Sequence, residues 1–295
     1  LVWQNSTYGD FYTKAITYDA EKETLTATAD NITTAAATDN RGITWKDWSF
    51  VGASAFYAIL TEGSLQTDFD ISYPAAGASD FSGAGTQADP YLIKTVGDLV
   101  LLAKKANSIP ESEYDGTEGS NKFAKAFLGK YFRLESDIDA QGYRLSPIAG
   151  DWAHRFAGTF DGNNHAIKNI SIATAATNYT GLFGRITDEG TVRNLTLDKP
   201  SVTSRGNAVG AIAGSSTGTI DNCHTVNAYI YTDGQAAGSI AGTASTITNS
   251  SATGSKVTVR KGYAGGIAGE IDKLVENCHA ESTDVTMYSP NTGYP

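Results

Sequence analysis

A short glycine-bracketed apolar motif recurs four times in the second half of the chain. The copies are Thr180-Gly-Leu-Phe-Gly184, Val209-Gly-Ala-Ile-Ala-Gly214, Ala237-Gly-Ser-Ile-Ala-Gly242 and Gly265-Gly-Ile-Ala-Gly269. The steps between closing glycines are 30, 28 and 27 residues. A fixed period of this size belongs to stacked repeats, in which each unit buries its apolar face against its neighbours. Downstream of each copy stands an asparagine, Asn194, Asn222, Asn249 and Asn277, and Asn169 supplies a fifth without a glycine motif ahead of it.

Three apolar files follow from this register. One is Leu182, Ile212, Ile240 and Ile267; a second is Ile167, Val192, Ile220, Ile247 and Val275; a third is Val202, Ile230, Val257 and Val285. Mostly β-branched side chains favour strands, and alternate residues of a strand face inward. Three such files per repeat predict three short strands per coil. Ile170, Leu195, Cys223, Ser250 and Cys278, one after each asparagine, also read as interior. The odd step to them requires a bend, which asparagine tolerates in the left-handed region. Stacked asparagines can bond along the axis through their amides. The glycines permit either a tight corner or close packing between coils. The fold class predicted is all-β, a right-handed parallel β-helix.

Ahead of the repeats, residues 1–75 carry strand-like runs such as Phe11–Tyr18, Thr24–Ala29, Trp48–Val51, Ala55–Leu60 and Asp68–Tyr73. Turn residues separate them, which predicts a small antiparallel β-sandwich-like module. Residues 76–90, small and Gly-rich, read as a linker. Residues 91–295 form the β-helix, opened by a helix at about 95–106 with Thr95 as its cap, Asp98 in the first turn and Lys104-Lys105 in the last. Its leucines are placed to cover the end of the first coil. The chain stops near where another glycine corner would fall, so further coils are expected beyond it.

The formal charge of −10 disfavours nucleic acid, anionic membrane surfaces and polyanionic sugars as partners. No apolar run approaches the roughly 20 residues of a membrane span, so no insertion is expected. Cys223 and Cys278 share a register two coils apart, about 10 Å at strand spacing, which is too far for a disulfide. Both are expected free, buried and inert.

The segment Gly83-Ala-Gly-Thr-Gln-Ala-Asp-Pro-Tyr-Leu-Ile93 with its following helix, Leu134–Gly142 and Phe156–Asn169 resemble surface β-helix modules of gut Bacteroides-type bacteria. The glycine corners at Gly181, Gly210, Gly238 and Gly265 are similar to the GLUG repeat of bacterial surface adhesins, which also occurs beside some IgA-specific peptidases. Residues 1–75, with Trp45-Lys-Asp-Trp48, resemble part of a fimbrillin-like domain. The resemblance implies a cell-surface or extracellular setting and non-enzymatic adhesion to a host surface protein or glycan. It supplies no catalytic, cofactor or metal residues.

Candidate chemistry is sparse. Asp221 and Glu276 share a register, but Thr248 lies between them, which makes a poor acid/base pair. His224 and His279 read as solvated surface residues too far apart to share a metal. Asp137-Ile-Asp139 and Asp161–His165 lack the spacing of a calcium loop. Trp152, Tyr143 and Tyr179 are the candidate ligand-binding residues, since exposed rings stack on sugars, although packing is the commoner role of such rings. Sequons at Asn169, Asn194 and Asn249 coincide with the bends. A carbohydrate-active β-helix enzyme and an inert spacer for another domain are the alternatives to adhesion.

Overall fold

The computed structural model describes six short strands between residues 2 and 66, and residues 80–288 apart from Gly142 and 175–177. Two compact units divide the chain, Leu1–Ser72 and Tyr73–Pro295. In the first, Val2–Gln4 pairs antiparallel with Phe11–Thr13, and Ile16–Asp19, Thr24–Ala27, Ser64–Gln66 and Ile59–Thr61 form an antiparallel sheet. Trp45, Trp48 and the expected strands at 48–51 and 68–73 lie outside the described residues.

The second unit is a parallel β-solenoid of about 6 turns. The apolar files stack rung upon rung: Phe132 beside Phe160, then Val192, Ile220, Ile247 and Val275. Ile172, Val202, Ile230, Val257 and Val285 form another file on a separate sheet. Ala213, Ala241 and Ala268 pair in order, which aligns Ile212, Ile240 and Ile267 just before them. Fifteen-, five- and four-stranded sheets result. Most of these file residues are wholly buried, and each such Val or Ile stabilises the coil by about 1.5–3 kcal/mol.

The corner files differ from the sequence expectation in two respects. Asn194, Asn222, Asn249 and Asn277 do share a left-handed corner, with φ of 53°, 49°, 51° and 53°. Asn169 is not their neighbour. Ile167 pairs with Leu197 instead of Val192, so Asn169 heads a second left-handed file with Lys199, Asn227, Gly254 and Ser282. The cause is a longer first corner. Asp161 pairs with Arg193 but Ala166 with Thr196, and the added length puts Asn163 and Asn164 (φ 52° and 61°) where later coils have one asparagine. The amide ladder is also partial. Asn222 donates to Asn194 Oδ1 (2.9 Å) and Asn277 to Asn249 Oδ1 (3.2 Å), but Asn249 turns to Asp221 Oδ1 (2.8 Å).

Of the two roles open to the glycines, close packing is the one found. Gly210, Gly238 and Gly265 have no left-handed backbone. A Cβ on Gly210 would stand 2.4 Å from Ala241 Cα of the next coil, and one on Gly242 2.3 Å from the Val209 nitrogen of the coil before. In the first three motifs the two glycines therefore mesh adjacent rungs from opposite sides, while in the last Gly269 meets Ala237 of the coil before and Gly265 meets Ala268 of its own coil.

The helix spans Val96–Ala106, with Thr95 and Asp98 forming a reciprocal capping box. Its buried Leu99, Leu101 and Leu102 belong to the same core as the first coils. Part of the expected linker is also packed: Phe81 is buried, its ring 5.4 Å from those of Tyr91 and Phe132. Phe132, Phe156, Phe160 and Phe183 fill the early coils, whereas aliphatic residues fill the later ones. Cys223 and Cys278 are free, with Ser250 on the rung between them. Cys223 is buried as expected; Cys278, on the last described coil, is only half-buried. Among the described residues no helix is long and apolar enough to cross a membrane.

Candidate functional site

Of the three expected binding aromatics, the structure brings two together. Trp152, on the loop after Gly150, stacks on Tyr179, with ring centroids 6.4 Å apart and planes 30° from parallel. Trp152 is 41% exposed. Tyr143 packs half-buried against the hydrophobic core instead. Beneath the pair lie two arginines that sequence reading passed over. Strand pairing aligns Phe156 with Ile186, so Arg155 and Arg185, each one residue earlier, are neighbours on adjacent rungs. Arg155 in turn pairs with Lys125. The signal was present as two arginines preceding two inward residues of one file, but it needed the early register to be seen.

Each guanidinium is covered by rings. Arg155 Cζ is 3.6 Å from the Phe123 centroid and 5.4 Å from Trp152; Arg185 Cζ is 4.8 Å from Trp152 and 4.5 Å from Tyr179. Attraction to the ring faces offsets part of the loss of water. Arg155 and Arg185 are only 7% and 8% exposed. A single carboxylate serves both. Glu118, from the hairpin Gly116–Glu118 and Asn121–Ala126, accepts a hydrogen bond from Arg155 Nη2 and lies 3.6 Å from Arg185 Nη1. That bond from Arg155 holds the Glu118 carboxyl below its usual range. Burial, followed by repulsion from Arg155, depresses Arg185. Arg155 Nε is buried without a hydrogen-bond acceptor, and Arg185 Nη1 has only that long contact to Glu118.

The other candidates are absorbed by the framework. Asp221 and Glu276 flank Thr248 in register, and Asp221 Oδ1 accepts from Thr248 Oγ1 (2.6 Å) as well as Asn249. Asp221 thus holds a corner. His224 is half-buried, bonded to Ser251 Oγ (2.8 Å) and Asn222 Oδ1 (3.0 Å) and shifted down by burial, so it is less solvated than expected; His279 is exposed. Asp137 bonds Lys168 (2.8 Å) and the Ala166 amide (2.9 Å), Asp139 takes Asn169 (2.8 Å), and Asp161 takes Arg193 (2.9 Å) and Asn194 (3.0 Å). Each is committed to protein donors. Asp233 similarly clasps Arg205 and Arg260 and accepts from the Tyr231 hydroxyl (2.7 Å), whose pKa is pushed up to about 12 mainly by burial.

No protein-family model matches the chain. It is 36% identical over 142 residues to halomucin of Haloquadratum walsbyi, a match covering 48% of this chain and 1% of halomucin. It is 35% identical over 162 residues to an Evansella cellulosilytica protein provisionally named a Gly-rich membrane protein, covering 51% of this chain and 16% of that one. Among solved structures, a Bacteroides ovatus protein provisionally named an immunoglobulin A1 protease matches with a TM-score of 0.45 and 19% identity, covering 76% of this chain and 90% of the other. The chain is an all-β solenoid protein whose sequence likeness to these two curated relatives covers about half of its own length and a small part of theirs.

Proposed function

We propose that this chain is a segment of a bacterial cell-surface adhesin, non-enzymatic, whose solenoid presents outward side chains to a host surface protein or glycan. The observation that carries this reading is the parallel stacking of strands, coil upon coil, between Tyr91 and Met287, with register shifts only within the ladders at Ser216–Thr219 and Ala244–Thr246 among the described pairs. It sets the outward residues of paired strands at a spacing of about 4.8 Å, which suits repeated weak contacts along one side. The names of the two relatives, a halomucin and a Gly-rich membrane protein, fit a surface or extracellular setting. The similarity of the glycine corners to the GLUG repeat, and of residues 1–75 to a fimbrillin-like module, supports the same reading. The carboxylates in the coils support display over hydrolysis, because Asp137, Asp161 and Asp221 are occupied by neighbouring donors.

The test is retention of the purified chain on a glycan array and on mucin-coated surfaces, with the same glycans assayed for cleavage. Saturable retention with no released product is expected. Reducing ends appearing with time would overturn the non-enzymatic reading, and no retention on any surface would overturn display.

A further inference from the structure

We propose that the Arg155–Arg185 pair with its Trp152–Tyr179 cover is a binding subsite for a sugar bearing a ring carboxylate. The proposal deepens the display reading and relies on it for the setting in which such a glycan is met.

Three observations converge here. Two buried guanidiniums on adjacent rungs share one carboxylate, so the pair holds a net positive charge inside a chain whose formal charge is −10. A clamp that only fastened the 116–126 hairpin would be better made with one cation per anion, because like charges on neighbouring rungs repel. Next, Arg155 Nε is a buried N–H group with no acceptor, and Arg185 Nη1 has only the Glu118 oxygen at 3.6 Å, longer than a good hydrogen bond. Buried donors are normally satisfied, and an arginine fork fits a carboxylate with two parallel bonds. Finally, Trp152 is 41% exposed above the pair and stacked with Tyr179. The C–H face of a pyranose packs on such a surface, leaving its carboxylate to reach past the ring edge toward the arginines.

The half-exposed Glu118 is then the resident anion that an incoming carboxylate joins or displaces. A neutral sugar gains the rings but not the fork. An extended polyanion gains the fork but meets the acidic remainder of the chain. The ligand is therefore a single acidic residue within or at the end of a mostly neutral glycan. Uronic acids and nonulosonic acids share this chemistry.

The experiment titrates the full chain by calorimetry with methyl glucuronide, the methyl glycoside of N-acetylneuraminic acid, methyl glucoside and sodium acetate. At least one acidic glycoside should bind about tenfold or more tighter than both methyl glucoside and acetate. Its affinity should fall as salt rises from about 50 to 500 mM. E118Q, which removes the resident competitor, should tighten that binding by about threefold or more. R185Q should weaken it by about tenfold or more, and R185K, which keeps charge without the fork, should recover only part of the loss. Circular dichroism checks that each variant is folded, and E118Q keeps the test decisive if R185Q unfolds. No saturable binding of either acid up to about 50 mM, equal binding of the neutral glycoside or of acetate, or an E118Q chain that binds no tighter would each overturn the subsite. Retention on the glycan array that survives R185Q without preference for acidic sugars sinks the subsite alone; no retention of the wild-type chain on the array or on mucin sinks the display reading.

Discussion

Gly238→Ala tests the rung-to-rung packing most directly. The added methyl would lie 2.4 Å from Ala241 O, 2.4 Å from Ala268 Cα and 2.6 Å from Ile267 O. All three are main-chain atoms of neighbouring segments, so no side chain can rotate away. Relief requires adjacent coils to part by roughly 1 Å, against a ladder that holds them about 4.8 Å apart. Overpacking of this kind costs about 1–3 kcal/mol, and the contact with backbone on two sides places it at the upper end. The stiffer unfolded chain returns about 0.4–1 kcal/mol, for a net loss near 2 kcal/mol. Gly129→Ala is the matched control: no atom lies within 4 Å, but φ is 68°. It should cost about 1 kcal/mol from the left-handed backbone alone. Urea unfolding followed by circular dichroism gives the totals. Hydrogen exchange locates the loss, with faster exchange expected at the Ile212 and Ile240 amides that bridge these coils. A Gly238→Ala protein within about 0.5 kcal/mol of wild type would refute the meshing argument.

Three further outcomes are expected. Lys199 occupies a left-handed position (φ 54°) that Gly254 fills in a later coil, so Lys199→Gly should raise stability by up to about 1 kcal/mol in the same urea assay. Asp137 is lowered from 3.8 to about 2, chiefly by its bond to Lys168 and then by the Ala166 amide. Because its folded pKa is depressed, its contribution is present above pH 4 and is lost as pH falls toward 2. Half-exposed, it contributes little, but the difference in melting temperature between wild type and Lys168→Met should shrink over that window and be gone at its lower end. Burial pushes the Cys223 thiol up to about 12, while Cys278 is only half-buried. Iodoacetamide at pH 8 should therefore label Cys278 first and leave Cys223 untouched until the coil unfolds, as read by mass spectrometry.

The later coils are legible in the sequence because β-branched aliphatic residues hold each file: Ile212, Ile240 and Ile267, or Val202, Ile230 and Val257. The early coils are not, for two physical reasons. Phenylalanine replaces the β-branched residue at Phe132 and Phe160, and the Asn163-Asn164 corner lengthens the step to the next inward position. Periodicity therefore assigned Ile167 to the file of Val192, one side of the coil away from its true neighbours. The site suffered from the same loss of register. Trp152 and Tyr179 were visible as aromatics, but Arg155 and Arg185 become a pair only when Phe156 is set beside Ile186. Phe81 was hidden by its surroundings, a single large ring in a stretch whose Gly and Ser content reads as linker.

The exchange of rings for branched aliphatics along the axis gives this solenoid a mechanical polarity. Phe132, Phe156, Phe160 and Phe183 interlock at centroid distances of 4.8 to 6.2 Å, whereas Val192, Ile220 and Ile247 meet simply face on face. Coils that touch only adjacent coils yield one at a time under load. Pulled in an optical trap, the chain is therefore expected to release its aliphatic turns before the phenylalanine-filled coils that back the Trp152 platform, and simultaneous release of both would refute this.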